Sequence, residues 1–378
     1  MKHIFIIGCR GYHYNYGGWE TFVSSLVDNY NDKNTVFHIG QLGENNEEIK
    51  INDNIIVNNI KVGIGSSAKM LVYTIKTFNY YINYVKDNKL KNCYFLILGL
   101  KLGPYLKLKK KELKKLKIKT FVNPDGLEHM RSKWNYFIKK FFLYSEKVML
   151  NNCDKIVCDA LGIKEYIDKK YKKLKNKTVY IAYGTEEVNT SEDEDIKVLE
   201  EYSLEKDKYL LMVGRCVPEN NYELVITEFM KSSIGKRLVI ISNISNGNYY
   251  NKLISDTDCL KDIRIKFIDG VYDKKKLTSI RKNAFLYIHG HSVGGTNPSL
   301  LEALSTTDLN ILYDVNFNKD VGMDSCLYFK EEGSLEKILE DSRLLENSKK
   351  KLGKKAKKII KENFTWEIIV NKYKEIFK

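Results

Sequence analysis

An α/β chain built from two parallel-sheet domains with helices on both faces is what this sequence predicts, and three observations carry the prediction. Short apolar runs of strand length alternate with amphipathic stretches of helical period along most of the chain. The alternation breaks once, at the acidic and apolar-poor stretch from Glu186 to Asp207, and then starts again. The 378 residues are enough for two separate cores. The expected division is a first domain over residues 1–185, an acidic linker over 186–207, a second domain over 208–360, and a closing helix over 361–378 that returns to the first domain.

Taken in order, the first domain opens on the buried strand His3 to Gly8. The sequence Ile6-Ile-Gly-Cys9 looks like a lipoprotein cleavage box, but the apolar stretch Ile4 to Ile7 is too short for a signal-peptide core and reads as a strand. Gly17-Gly18 follows, just before an amphipathic helix marked by Phe22, Val23, Leu26 and Val27. Paired glycines let a phosphate or sugar approach the backbone, and they equally serve a tight turn. Strands are expected at Thr35 to Ile39, Ile55 to Val62, Tyr94 to Leu98, Lys119 to Val122, Lys155 to Cys158 and Val179 to Ala182, with helices such as Ser67 to Val85 and Trp134 to Leu150 among them. The second series has strands at Leu210 to Val213, Leu238 to Ser242, Ile263 to Asp269, Ala284 to Ile288 and Asn310 to Tyr313. In the basic tail, Phe364, Trp366, Ile369 and Tyr373 are spaced to pack back on the first domain.

Composition excludes some classes. A hydrophobic content of 43% with 29% charged residues describes a folded globular chain, and no run approaches the roughly 20 apolar residues that span a bilayer. The seven cysteines make no close metal pair and read as reduced thiols of a cytoplasmic protein. The net charge of +15 suits nucleic acid, an anionic membrane surface, or a lysine-rich composition without a partner. Its clustering speaks against the last, since Lys101 to Lys119 holds nine lysines and one acid, Glu112. No aromatic-basic module of a nucleic-acid binder is present, so nucleic acid is not an expected partner. The triplets Asp193-Glu-Asp195 and Asp256-Thr-Asp258 end no strand, and His289 and His291 lack a carboxylate or cysteine at ligand spacing; no metal site is expected.

The stretch from His289 to Leu304 is the richest in chemistry. An apolar strand runs into a small polar loop, Thr296 or Asn297 is placed to cap a helix, and Pro298 suits its first turn. Such a junction turns unpaired N–H groups outward at the positive end of a helix dipole, a ready phosphate site. Glu302, one turn in, is too deep to cap and is placed to reach a ribose hydroxyl; the alternative is an ordinary turn with an exposed glutamate. Arg215 follows the first strand of the second series and suits a diphosphate clamp or a pair with Glu219.

Five segments in order carry a family resemblance: Ile6-Ile-Gly-Cys-Arg-Gly11 with Tyr16-Gly-Gly-Trp-Glu-Thr-Phe-Val23; Val122-Asn-Pro-Asp-Gly-Leu-Glu128; Arg131-Ser-Lys-Trp134; Gly214-Arg215 with Pro218-Glu-Asn-Asn221; and His289 to Glu302. The chain resembles the family-four retaining glycosyltransferases of the GT-B fold, and within them the bacterial rhamnosyltransferase branch of capsule and cell-wall polysaccharide synthesis. The resemblance implies two Rossmann-like domains whose parallel sheets face across a crevice, with a C-terminal helix crossing back. It implies a nucleotide-sugar donor, dTDP-rhamnose favoured over a UDP-hexose, and a lipid-linked saccharide acceptor. It also implies work at the cytoplasmic face of an anionic membrane, with no cofactor. Gly17, Gly18, Arg215, Gly294, Gly295, Thr296, Asn297 and Glu302 would bind donor. Asp125, Glu128 and His129 would meet the acceptor, and Arg215, Asp125 and Glu128 would carry the chemistry. Asp125 also fits a plain turn, Asn-Pro-Asp-Gly. Two departures stand out: many members have glutamate where this chain has Gly294 and lysine where it has Asn220. They are read as altered recognition of the donor sugar. The class outside enzymes is a non-catalytic membrane or nucleic-acid binder.

Overall fold

The computed structural model describes all residues except 14–16, 64–68, 125, 127, 131–133 and 245–247, with backbone alone at Met130. The chain divides into two compact units, Met1–Tyr183 with Trp366–Lys378, and Gly184–Thr365.

The first unit is built on β1 (Lys2–Ile7), whose Ile4, Phe5, Ile6 and Ile7 are fully buried, as expected for a strand covered by helices on both faces. The other strands are β2 (Thr35–Gly43), β3 (Glu47–Asn52), β4 (Ile55–Lys61), β5 (Cys93–Leu98), β6 (Lys119–Asn123), β7 (Lys155–Cys158) and β8 (Thr178–Tyr180). Their order is β3-β4-β2-β1-β5-β6-β7-β8, parallel except for β3, which pairs antiparallel with β4. Sequence reading missed β3 because every residue of that edge ribbon is exposed and its apolar signal is two isoleucines. Gly8 ends β1 with φ +111°, and a Cβ there would stand 2.6 Å from the carbonyl oxygen of Leu98. The glycine of the cleavage-box lookalike is therefore a strand-end requirement.

Helices α1 (Gly18–Asp28), α2 (Lys69–Asp87), α3 (Gly103–Lys115), α4 (Tyr136–Asn152) and α5 (Leu161–Lys170) complete the chain's first pass through this unit. Leu106 and Leu113 of the lysine-rich α3 are core residues, while Leu108 is exposed.

The second unit opens with α6 (Glu192–Glu201), inside the stretch expected to be a linker. The acidic composition has a local cause. Ser191 and Glu194 form a reciprocal capping box, and the solvent face pairs with lysines of α9 (Lys274–Lys282) as Glu194–Lys275, Glu201–Lys276 and Asp195–Lys282. The other face buries Val198 and Leu199 in a core shared with Tyr209, Leu211, Val239 and Tyr287. Of the three apolar residues of α6, Val198 and Leu199 are buried and Ile196 is exposed, so low hydrophobic content hid an ordinary packed helix.

Its strands are β9 (Tyr209–Val213), β10 (Arg237–Ile241), β11 (Ile265–Ile268), β12 (Leu286–His289), β13 (Asn310–Tyr313) and β14 (Leu327–Phe329). The sheet is parallel throughout in the order β11-β10-β9-β12-β13-β14. Around it lie α7 (Tyr222–Lys231), α8 (Asn248–Thr257), α10 (Pro298–Thr306), α11 (Asn316–Gly322), α12 (Ser334–Glu340) and α13 (Ser342–Asn363). Fully buried Glu228 of α7 accepts hydrogen bonds from the N–H groups of Gly333, Leu335 and Glu336, so a carboxylate from one helix caps another.

The last helix, α14 (Trp366–Ile376), belongs to the first unit, where Tyr373 and Trp366 lie beside Phe22, and Phe377 stacks on Phe121 at 5.3 Å. Phe364 falls in the second unit. No helix among the described residues is long and apolar enough to cross a membrane.

One buried group gives the first unit a pH dependence. His38 of β2 stacks on Phe5 at 4.3 Å, lies 3.1 Å from Nδ1 of His3, and is pushed by burial from 6.5 down to about 3. Below pH 6.5 the unfolded chain takes up a proton that the folded chain refuses, so stability falls as the pH drops. Between pH 7.5 and pH 5 the loss from this residue is about 2 kcal/mol. Urea unfolding of the parent and His38→Phe at both pH values should show the difference shrink by that amount in the variant.

Candidate functional site

In the second unit β9 has β10 on one side and β12 on the other, so the connections leaving these strands diverge. Ligands of open parallel sheets sit at the carboxyl ends of the strands where this happens. The loops concerned run from Gly214 to Asn221 and from Gly290 to Asn297.

Three side chains weld the loops together. Asn220 donates from Nδ2 to the Arg215 carbonyl at 2.7 Å, and its Oδ1 lies 2.7 Å from Nδ1 of His291. With the amide nitrogen committed to a carbonyl, Oδ1 must accept, so Nδ1 of His291 carries the proton. Asn221, left-handed at φ 52°, donates to the Gly290 carbonyl at 2.7 Å. Ser292 donates from N and Oγ to the Glu219 carbonyl at 2.8 and 2.9 Å. A Cβ at residue 290 would stand 2.2 Å from the Asn220 carbonyl oxygen, so a glycine is required at this crossing. The Arg215 side chain is exposed and makes no ion pair with a described residue, Glu219 included.

The second loop leads into α10. His289 closes β12 and is buried, with Nδ1 3.4 Å from the Tyr287 hydroxyl. Burial, reinforced by His291 and Arg281, holds it well below the ordinary histidine range, so it is neutral and lies beneath the loop. Gly294 has φ +147°, and a Cβ there would stand 3.0 Å from Nε2 of His291. The N–H groups of Gly294 and Gly295 bond to no other described residue. Thr296 is buried, and Asn297 caps the helix by accepting from the Ser299 N–H at 2.9 Å.

Glu302 is held from below by a residue that sequence reasoning did not find. Its Oε2 lies 2.7 Å from Nη1 of Arg281, whose side chain is 3% exposed against 37% for Glu302. Arg281 also donates from Nη2 to Ser299 Oγ at 3.0 Å, and that hydroxyl is 3.2 Å from the Tyr287 hydroxyl. In sequence Arg281 reads as one more cation on the lysine-rich α9; no spacing sets it apart.

The first unit collects a separate group. Glu128 and His129 sit on a short 3-10 turn, Glu128–Met130, after β6. Together with Trp19, Lys101, Phe142 and Glu146 they line one pocket. Glu128 accepts from the Trp134 indole N–H at 2.9 Å, and His129 Nδ1 is 3.5 Å from Oε2 of buried Glu146. Glu146 is further held by Lys170 at 2.8 Å and the Tyr171 hydroxyl at 2.7 Å. Burial holds His129 below its ordinary value, with Glu146 pulling the other way. Asp125 lies outside the described residues.

Gly17 has φ +124°, and a Cβ on it would meet the Glu20 carboxylate at 2.1 Å. Buried Glu20 accepts from the Arg10 N–H at 2.8 Å. A carboxylate therefore lies near the head of α1, and the turn requires a glycine at position 17. A Cβ on Gly18 would meet nothing within 4 Å.

Two parallel-sheet α/β units, the second in the strand order of a dinucleotide-binding sheet with its loops joined at the switch point, make the fold that of the GT-B glycosyltransferases. The sucrose-phosphate synthase of Thermosynechococcus elongatus matches with a TM-score of 0.76 at 13% identity over 100% of this chain and 98% of that one. A glycosyltransferase of Rickettsia africae gives 0.75 at 14% identity over 100% and 97%. Anabaena HepE in complex with UDP and glucose gives 0.72 at 12% identity over 100% and 99%. By sequence, a family described as a domain of unknown function, DUF1972, matches residues 1–186. An uncharacterised glycosyltransferase of Methanocaldococcus jannaschii is 26% identical over 263 residues, 65% of this chain and 63% of that protein's length.

The Arg281–Glu302 pair separates two roles for the glutamate. Glu302→Gln leaves a buried guanidinium without its anion, at a cost of about 2 kcal/mol, below the full penalty for a buried pair because the carboxylate is partly solvated. Urea unfolding without nucleotide should show that loss. A glutamate that served a ligand alone would leave this stability unchanged.

Proposed function

We propose that the chain is a retaining glycosyltransferase that takes a nucleotide-sugar donor in its second unit. The observation that carries this reading is the convergence at the β9–β12 switch point of an unpaired exposed arginine, two unbonded glycine amides and a carboxylate anchored from below. These groups match the parts of a nucleoside diphosphate: Arg215 and the head of α10 for the phosphates, Glu302 for the sugar of the nucleoside. HepE in its complexes with UDP and UDP-glucose supports a donor of this class. Departure of a nucleoside diphosphate concentrates negative charge on the phosphate nearest the broken bond. Arg215 and the Gly294 and Gly295 amides therefore act more strongly on the transition state than on the bound donor.

The favoured donor is dTDP-rhamnose, on the resemblance to the rhamnosyltransferase branch. A deoxyribose offers Glu302 its 3′-hydroxyl alone, which leaves selection to base and sugar contacts. The similarity to HepE and sucrose-phosphate synthase favours a second reading, a UDP-hexose donor. The acceptor is a lipid-linked saccharide met in the first unit by Glu128, His129 and Asp125, in capsule or cell-wall synthesis at the inner face of an anionic membrane. Gly18, with open space where a side chain would stand, leaves room for a ligand in that unit.

Arg215→Ala should lower turnover at saturating donor by about 100-fold, followed as acceptor-free donor hydrolysis; turnover equal to the parent's would remove Arg215 from the site. A thermal-unfolding panel of nucleotide sugars decides the donor. A ligand at 100 times its dissociation constant adds about 2.7 kcal/mol. dTDP-rhamnose should protect better than UDP-glucose or UDP-N-acetylglucosamine, and the reverse order would select the second reading.

A further inference from the structure

The strongest surface anomaly lies on α4. Tyr136, Phe137, Phe141 and Tyr144 are 66%, 81%, 41% and 56% exposed, and Phe137, Phe141 and Tyr144 repeat at the i, i+4, i+7 spacing that puts them on one face. The opposite face is ordinary core: Phe142, Ser145, Met149 and Leu150 are buried. Single exposed apolar residues need no explanation, but four aromatics within nine residues form a patch.

The fold explains why no neighbouring helix covers it. The Gly103 N–H, at the start of α3, bonds to Ser145 Oγ at 3.0 Å, and Lys110, seven residues on, reaches Asn152 at 3.1 Å. The two helices run side by side in the same direction, with α3 beginning level with the middle of α4. The first two turns of α4 therefore extend past the head of α3. That end of a strand-to-helix unit is the carboxyl end of the sheet, where Glu128, His129 and their pocket lie.

The exposed charges of the two helices have one sign. Lys140 lies 5.3 Å from the Tyr136 ring and Lys147 is exposed further along α4, while Lys107, Lys111, Lys114 and Lys115 are exposed on α3, away from the patch and toward the far end of α4. The two acids of these helices are occupied: Glu112 pairs with Lys109 at 2.9 Å, and Glu146 is buried against Lys170. Two phenylalanine rings and two tyrosines with polar tips, with Lys140 beside them and more lysines further along both helices, suit the boundary between lipid headgroups and acyl chains, with the lysines at anionic headgroups.

We infer that the first two turns of α4 seat their aromatic face in an anionic bilayer, setting the pocket of the first unit at the lipid surface. This rests on the proposed lipid-linked acceptor and names how its membrane is met. It adds the rings of α4 to the membrane contact that the clustered lysines suggest; the α3 lysines keep an electrostatic part.

The test uses the full chain and vesicles of phosphatidylcholine with and without phosphatidylglycerol. The parent should sediment with the anionic vesicles and come off at high salt. The triple variant Phe137→Ser, Phe141→Ser, Tyr144→Ser should bind at least about tenfold more weakly, with unchanged protection by nucleotide sugar. In Phe137→Trp, the added fluorescence should be quenched by lipids brominated on their acyl chains. Parent-like binding by the triple variant, an unquenched Trp, or equal binding to neutral vesicles would overturn the inference. So would self-association of the parent that the triple variant abolishes, because a second copy would then cover the face. Failure of the glycosyltransferase reading would appear separately, as no nucleotide sugar protecting either protein.

Discussion

Everything chemical in the second unit depends on one topological constraint: β9 is the first strand of its sheet and lies in the middle of it. A parallel strand in that position must be apolar on both faces, which Leu210 and Leu211 satisfy, and its neighbours must be reached in opposite directions. The backbone leaving β9 and the backbone leaving β12 then part company. The opening exposes loop groups that neither the sheet nor a helix consumes. Most of the polar content of the loops goes into closing this opening from below, through Asn220, Asn221 and Ser292. What is left facing outward is Arg215 and the amides ahead of α10. In the first unit β1 has the same central place, between β2 and β5. There the head of the following helix is taken by Glu20, so the same topology yields a different electrostatic outcome.

Three of the buried charges set the orientation of something else. Glu228 fixes the start of α12, Glu146 holds His129 and two tyrosines, and Arg281 holds Glu302. Such groups are poor sources of net stability, because desolvation offsets much of what pairing returns. Their value lies in position. A guanidinium that cannot move keeps Glu302 on one side of α10, and a group meant to meet a ligand hydroxyl loses less on binding when it is already held.

The parts of the chain that were readable from sequence are those where one physical signal dominates. Ile4 to Ile7 reads as a buried strand, and Asn297-Pro298 with Leu300, Leu301 and Leu304 at helical spacing reads as a helix start. The fold class followed from such signals. What was not readable depends on contacts distant in sequence. The α6 stretch looked like a linker because its partners are lysines some eighty residues away on α9. Arg281 looked like its neighbours because burial, which distinguishes it, comes from the second unit's own packing. Leu106 and Leu113, set among the lysines of α3, are core residues, whereas most of the exposed apolar surface nearby comes from aromatics of the next helix. Periodicity identifies a face and leaves open which face the rest of the chain will cover.

Asn220 and Gly294, the two positions that depart from the pattern the sequence resembles, are in this structure a single arrangement. Asn220 is both donor and acceptor, and it needs both: one to the Arg215 carbonyl, one to Nδ1 of His291. A lysine has donors alone and could not accept from the Nδ1–H of this tautomer. With Asn220 in place the imidazole is fixed, and its Nε2 lies where a side chain on residue 294 would begin. Residue 294 is then glycine for its φ of +147°, and a Cβ there would also press on the ring at 3.0 Å. Restoring glutamate at 294 by itself would meet His291 and strain the backbone. Restoring lysine at 220 by itself would release the ring. The three residues therefore form one arrangement, and the loop they shape carries an imidazole beside residue 294.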